Sequence, residues 1–146
     1  MTKSFEILSL NISNEKGMAK SPVPRLALVA GHGIEGDAHA GPGKRQVSLL
    51  ADEDIETMRE KLETISPGDF AENITTRGID LASLPVGTKL TIGEAVLEIS
   101  QIGKQCHSGC AIREKTGDCV MPRKGVFAVV IKGGEITDED TGHYDI

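Results

Sequence analysis

Arg25-Leu-Ala-Leu-Val-Ala30 runs straight into Gly31-His-Gly-Ile-Glu-Gly36-Asp-Ala-His-Ala-Gly-Pro-Gly43. The first six residues read as a strand, and Gly31 to Gly36 matches G-x-G-x-x-G. A dinucleotide fold needs a helix to open at that point, so that its first amides meet the pyrophosphate. Asp37 to Gly43 cannot open one, because two glycines and a proline follow within seven residues. The stretch therefore reads as a loop between strands whose glycines supply positive φ, and the α/β dinucleotide architecture is set aside. The loop amides, with His32, Asp37 and His39, are candidates to line a pocket. Asp37-x-His39 alone is a weak metal signal.

Outward from this loop the chain keeps to short strands. Phe5–Ile12 alternates for most of its length, Ser13–Pro24 is a loop or hairpin, and Gln46–Leu50 is a short apolar strand. Ala51–Ile65 is the one convincing helix, with Ile55, Met58, Leu62 and Ile65 on one stripe and Asp52, Glu53 and Asp54 in its first turn. Phe70–Thr76 reads as a strand. Thr88–Ile92 and Ala95–Ile102 form a hairpin across Gly93-Glu94, and Val126–Lys132 is a strongly apolar strand. The acidic Thr137–Ile146 reads as an exposed end. Seven or eight short strands with one main helix (about residues 51–65) imply a mostly β, barrel-like fold.

The chain has 146 residues, which fits one domain spanning 1–146 with its core at about 5–140. Its net charge of −6 argues against general nucleic-acid or anionic-membrane binding. Three Phe, one Tyr and no Trp leave no aromatic platform for stacking bases. No run approaches a membrane span of ~18 apolar residues, and the N-terminus lacks a signal-peptide pattern. A cytoplasmic setting with reduced cysteines is expected.

All three cysteines, Cys106, Cys110 and Cys119, fall within fourteen residues, with His107 among them. Lys104, Arg113, Lys115, Arg123, Lys124 and Lys132 stand there against Glu114 and Asp118, so residues 104–132 carry +4 in an acidic chain. Positive surroundings stabilise a thiolate and attract a phosphate-bearing ligand. The segment reads as a small-anion site with a nucleophilic or ligating sulfur at Cys106, and His107 as a proton shuttle. A Cys₃His zinc site, and thiols that merely fill a barrel end, are the alternatives. Lys44 and Arg45 could add to anion binding. Asp69, Glu72 and Asn73 could orient a ligand, although Asp69 could equally brace a turn.

Four segments, in order, resemble the MOSC domain, named after the C-terminal part of molybdenum cofactor sulfurase. They are Gly33-Ile-Glu-Gly-Asp-Ala-His-Ala-Gly41, Arg45-Gln-Val-Ser-Leu-Leu50, Pro67-Gly-Asp-Phe-Ala-Glu-Asn-Ile-Thr-Thr76 and Ile102-Gly-Lys-Gln-Cys-His107. The resemblance implies a barrel-like fold with a molybdopterin pocket. Cys106 matches the family cysteine that handles sulfur or ligates molybdenum. Gly36, Asp37, His39, Arg45, Pro67, Gly68, Asp69 and Asn73 match the other motifs as pocket-forming residues. On this reading Arg45, Lys104 and Arg123 hold the pterin phosphate.

Cys106 is followed by His-Ser-Gly-Cys110 and later Gly117-Asp-Cys-Val-Met-Pro-Arg123, where the sulfurase and amidoxime-reducing branches carry a Thr-rich, Asp-Pro-containing stretch. Those branches also have an extra N-terminal barrel domain. The chain therefore resembles the small stand-alone bacterial type. Pyridoxal phosphate enters the family through a separate aminotransferase-like domain, so no Schiff-base lysine is expected here. The implied function is sulfur transfer or carriage in molybdenum cofactor metabolism, with a cofactor-biosynthesis protein as partner. A non-catalytic cofactor-delivery module and a zinc-stabilised β domain are the alternatives.

Overall fold

A computed structural model of the chain describes residues 2–13, 20–38, 40–59, 70, 72–103 and 125–145. The strands are β1 (Thr2–Ile12), β2 (Ser21–Val23), β3 (Arg25–Val29), β4 (Gly33–Ile34), β5 (Val47–Ala51), β6 (Ile74–Arg77), β7 (Lys89–Ile92), β8 (Ala95–Ile102), β9 (Val126–Lys132), β10 (Gly134–Thr137) and β11 (Thr141–Asp145). One α-helix, α1 (Asp52–Arg59), and a 3₁₀ turn at Leu81–Ser83 complete the described elements. No helix among them is long and apolar enough to cross a membrane.

Seven strands close into a barrel in the order β11-β7-β8-β9-β5-β6-β1, with β1 returning to β11. Closure removes the free edges that an open sheet would expose. Every pairing in the ring is antiparallel except β5–β6, where Leu49 lies opposite Ile74 in a parallel ladder. A parallel neighbour needs a crossover, and α1 begins it, lying against β5 and β6.

The strands show how period-2 patterning selects faces. On β5, Val47, Leu49 and Ala51 join the barrel core while Ser48 and Leu50 face the other way. All five residues are buried, because α1 covers the outer face with Ile55 and Met58. The expected helix stripe is thus present at Ile55 and Met58; Leu62 and Ile65 lie outside the described residues. Asp52 Oδ2 accepts from Arg77 (3.3 Å) and Glu53 Oε2 from the Gly78 amide (2.8 Å), which ties the first turn of α1 to the end of β6.

A second sheet, β10-β3-β4, sends Leu26, Leu28, Ile34 and Ile136 into the same core. The Gly31 amide donates to Val130 O (2.9 Å), joining the loop after β3 to barrel strand β9.

Several sequence expectations change; the glycine-rich stretch expected as loop holds the two-residue strand β4, and Ala51 ends β5 where the helix was expected to begin. The strand expected at Phe70–Thr76 starts at Ile74 instead. Asn73 leaves the ladder geometry, its amide donating to Ser48 O and its carbonyl accepting from the Asn11 amide. The acidic end is not free: β11 pairs with β1 from Thr2↔Asp145 to Glu6↔Thr141 and with β7 from Leu90↔Tyr144 to Ile92↔Gly142. It is the strand that shuts the barrel.

Candidate functional site

The glycine-rich loop folds back on itself through its own backbone. The Gly41 amide donates to His32 O (2.7 Å), the Asp37 amide to Ile34 O (3.1 Å) and the Ala40 amide to Asp37 O (3.1 Å). Gly33 sits at φ +119°, and a Cβ there would stand 2.7 Å from Gln46 O. No other residue fits that approach. Gln46, itself buried, accepts from the Val130 amide (2.9 Å) and donates to Gly43 O (3.3 Å). One amide side chain therefore holds the loop to the barrel wall.

This loop and the end of β8 border an open pocket of about 650 Å³, lined by Ala38, Ala40, Gly41, Lys44, Arg45 and Gln101 among others. The guanidinium of Arg45 lies over the Phe127 ring, 5.4 Å from its centroid, and its Nε donates to Gln101 Oε1 (3.3 Å). The Gln101 amide is oriented in turn by donating to Gly103 O (2.8 Å). Ser100 Oγ bonds Lys44 O and lies 3.1 Å from Phe127 O. Stacking and one Nε bond fix the plane of the guanidinium. Its terminal nitrogens hold no hydrogen bond to any described residue. That fork suits a bidentate oxyanion.

Of the residues singled out in the sequence, the structure brings Arg45 and Lys44 to the pocket wall. Asp37 lies at the base of the same loop, but its carboxylate is buried against Lys20 Nζ (2.8 Å) and the Ser13 amide (3.1 Å). Asn73 lies in a different place, between β1 and β5. Its Oδ1 accepts from Ser48 N (3.0 Å) and Ser48 Oγ (3.1 Å), and its Nδ2 donates to Asn11 O (3.2 Å). Nearby, Thr75 Oγ1 donates to the buried Glu72 carboxylate (2.8 Å) and accepts from Asn11 Nδ2 (3.2 Å).

His39, Asp69, Lys104, Cys106, His107 and Arg123 lie outside the described residues, as do Cys110 and Cys119. Among the described residues no three His, Cys, Asp or Glu side chains converge as metal ligands. Sequence reasoning did not find Lys20, Gln101 or Phe127 as site residues. Each is distant in sequence from the motif it supports, and only Lys20 carried a charge that could have signalled it.

The Gly103 amide donates to Gly125 O (2.6 Å). Gly103 and Gly125 therefore lie side by side, two residues beyond Gln101 and just before β9.

Comparison with known proteins agrees with this architecture. The family model for the MOSC domain matches residues 35–141. The crystal structure of the YuaD protein from Bacillus subtilis is similar, with a TM-score of 0.83 at 18% identity, covering 99% of this chain and 97% of that one. YiiM from Geobacillus stearothermophilus gives 0.75 at 19% identity, covering 97% of this chain and 75% of that one. YiiM from Escherichia coli gives 0.70 at 18%, covering 99% and 70%. No curated protein matches the sequence. A family match across most of the chain, on a closed barrel of the expected kind, makes this chain a member of the MOSC domain family.

Proposed function

We propose that the chain binds a molybdopterin-type anion at the Arg45 pocket and uses Cys106 as a sulfur carrier or metal ligand. The observation that carries the reading is the Arg45 fork, held in plane by Phe127 and Gln101 with its terminal nitrogens bound to no described residue. Lys44 adds a second cation at the same wall. The pocket volume falls in the range of small-ligand sites, ~300–1,000 Å³. The donor set thus fits the phosphate end of such a cofactor.

Chain connectivity supports the role of Cys106. Cys106 is three positions after Gly103, with two residues between, so the chain cannot carry it more than about 11 Å from that anchor. The basic residues around it in sequence favour the thiolate. As a carrier, that thiolate attacks the outer sulfur of a persulfide donor. The donor's S–S bond breaks, a Cys106 persulfide forms, and the donor leaves as its thiolate. As a ligand, the same thiolate would hold the metal centre that the cofactor would supply. The partner on the carrier reading is a protein of molybdenum cofactor metabolism.

Titration with purified molybdopterin, followed by pterin fluorescence, tests the site. Arg45→Ala is expected to weaken binding at least tenfold, the loss of a charge-assisted bidentate contact worth ~1.5–3 kcal/mol. Cys106→Ser is expected to keep the phosphate-anchored affinity on the carrier reading, yet retain no sulfur after incubation with a persulfide donor. Equal affinity in wild type and Arg45→Ala would end the anion reading. Equal sulfur retention with and without the Cys106 thiol would end the carrier reading.

A further inference from the structure

Lys20 and Asp37 form an ion pair with Nζ 2.8 Å from Oδ1, and their side chains are 1% and 0% exposed. Such a pair is a poor way to gain stability. Desolvating both charges offsets most of their attraction, and apolar replacements of both partners are often neutral. Its geometry explains it better. Ser13 and Lys20 stand one position beyond the Ile12↔Ser21 pair, at the two arms of the β1–β2 hairpin. The same oxygen, Asp37 Oδ1, accepts from the Ser13 amide on one arm and from Lys20 on the other. The next residue closes the link, the Ala38 amide donating to Ser13 O (2.7 Å). Ala38, Ala40 and Gly41, which follow directly, line the Arg45 pocket.

We infer that Lys20 is a positioning residue for that pocket: through Asp37 it clamps the glycine-rich loop to both arms of the β1–β2 hairpin and so sets the wall facing Arg45. The binding consequence rests on the anion reading above; the ordering of the loop does not.

Amide hydrogen exchange and titration with inorganic pyrophosphate, both on the full chain, test it in Lys20→Met, Lys20→Arg and the double variant Lys20→Met/Asp37→Leu. Lys20→Met removes the cation that stands 2.8 Å from the buried Asp37 carboxylate and lowers the melting temperature. The double variant removes both charges and recovers most of that loss. In both, the Ala38, Ala40 and Gly41 amides are expected to exchange at least tenfold faster than in wild type over and above any change at Leu97 and Ala128 in the barrel, which follows only the loss of global stability. Pyrophosphate affinity is expected to fall about tenfold in both. Lys20→Arg keeps the pair, and with it loop protection and affinity within about threefold. Should Lys20→Met not fold, the double variant carries both measurements.

Wild-type exchange at Ala38, Ala40 and Gly41 in the folded double variant would overturn the inference. So would wild-type affinity in that variant. Absence of pyrophosphate binding by wild type would instead remove the anion reading, and the exchange rates would still decide the clamp.

Discussion

Gly142→Ala is expected to lower the free energy of unfolding by about 3 kcal/mol. Gly142 lies opposite Phe5 on one side and Ile92 on the other, at the seam where β11 joins β1 and β7. The Phe5 ring covers it so closely that an added Cβ would stand 2.1 Å from Cζ and 2.4 Å from each Cε. The ring has nowhere to retreat, being 2% exposed and tilted against Tyr144 with centroids 6.1 Å apart. Urea unfolding measures the effect as a lowered midpoint at constant slope. Gly78→Ala serves as the control: its φ is +88° but its surroundings are open, so only backbone strain of about 1–2 kcal/mol is expected. Adding Phe5→Leu to Gly142→Ala should return part of the loss, because the two changes share one space. A Gly142→Ala midpoint equal to wild type would show that the ring does not lie over the strand.

Asn73→Ala is expected to destabilise the fold by about 3 kcal/mol while leaving anion affinity at Arg45 unchanged in the folded fraction. Its amide side chain satisfies the Ser48 amide and hydroxyl with its oxygen and the Asn11 carbonyl with its nitrogen. Truncation leaves buried backbone groups on β1 and β5 without their partner, and such groups cost ~1–3 kcal/mol each. Thermal or urea unfolding, run beside the pyrophosphate titration, separates the two roles. Wild-type stability with lost affinity would make Asn73 a ligand contact and not a strut.

These two residues also show where sequence reading reaches and where it stops. β8 and β9 have the boundaries expected from their apolar runs, because each carries enough Val, Ile and Leu to fix period and register alone. The closing strand carries no such run. Thr141-Gly-His-Tyr-Asp145 turns only Gly142 and Tyr144 inward, and its inner surface comes from Phe5 on a strand about 140 positions away. A glycine that makes room for a distant ring looks, in sequence, like a glycine that makes a turn.

The site divides in the same way. The five glycines between residues 31 and 43 announce a loop with special backbone, and the structure places all five at positive φ. Arg45 is visible as a charge beside that loop. Its orientation depends on Phe127 and Gln101, which reach it only through the β5–β9 and β8–β9 pairings. Asn73 looks like a polar group offered to a ligand. Its bonds instead answer a need created by topology, where a parallel strand enters beside β1 and the backbone must be satisfied sideways.

The β1–β11 seam has a consequence for how the molecule assembles. Contacts that join the first strand to one more than 130 positions later raise the contact order, and folding of such barrels belongs to the millisecond-to-second regime. During synthesis β1 and β7 have no partner on the seam side until residues 141–145 have left the ribosome. Both offer unpaired backbone in that interval, so shortening the chain by those few residues is expected to send it toward aggregates, although they carry no apolar run.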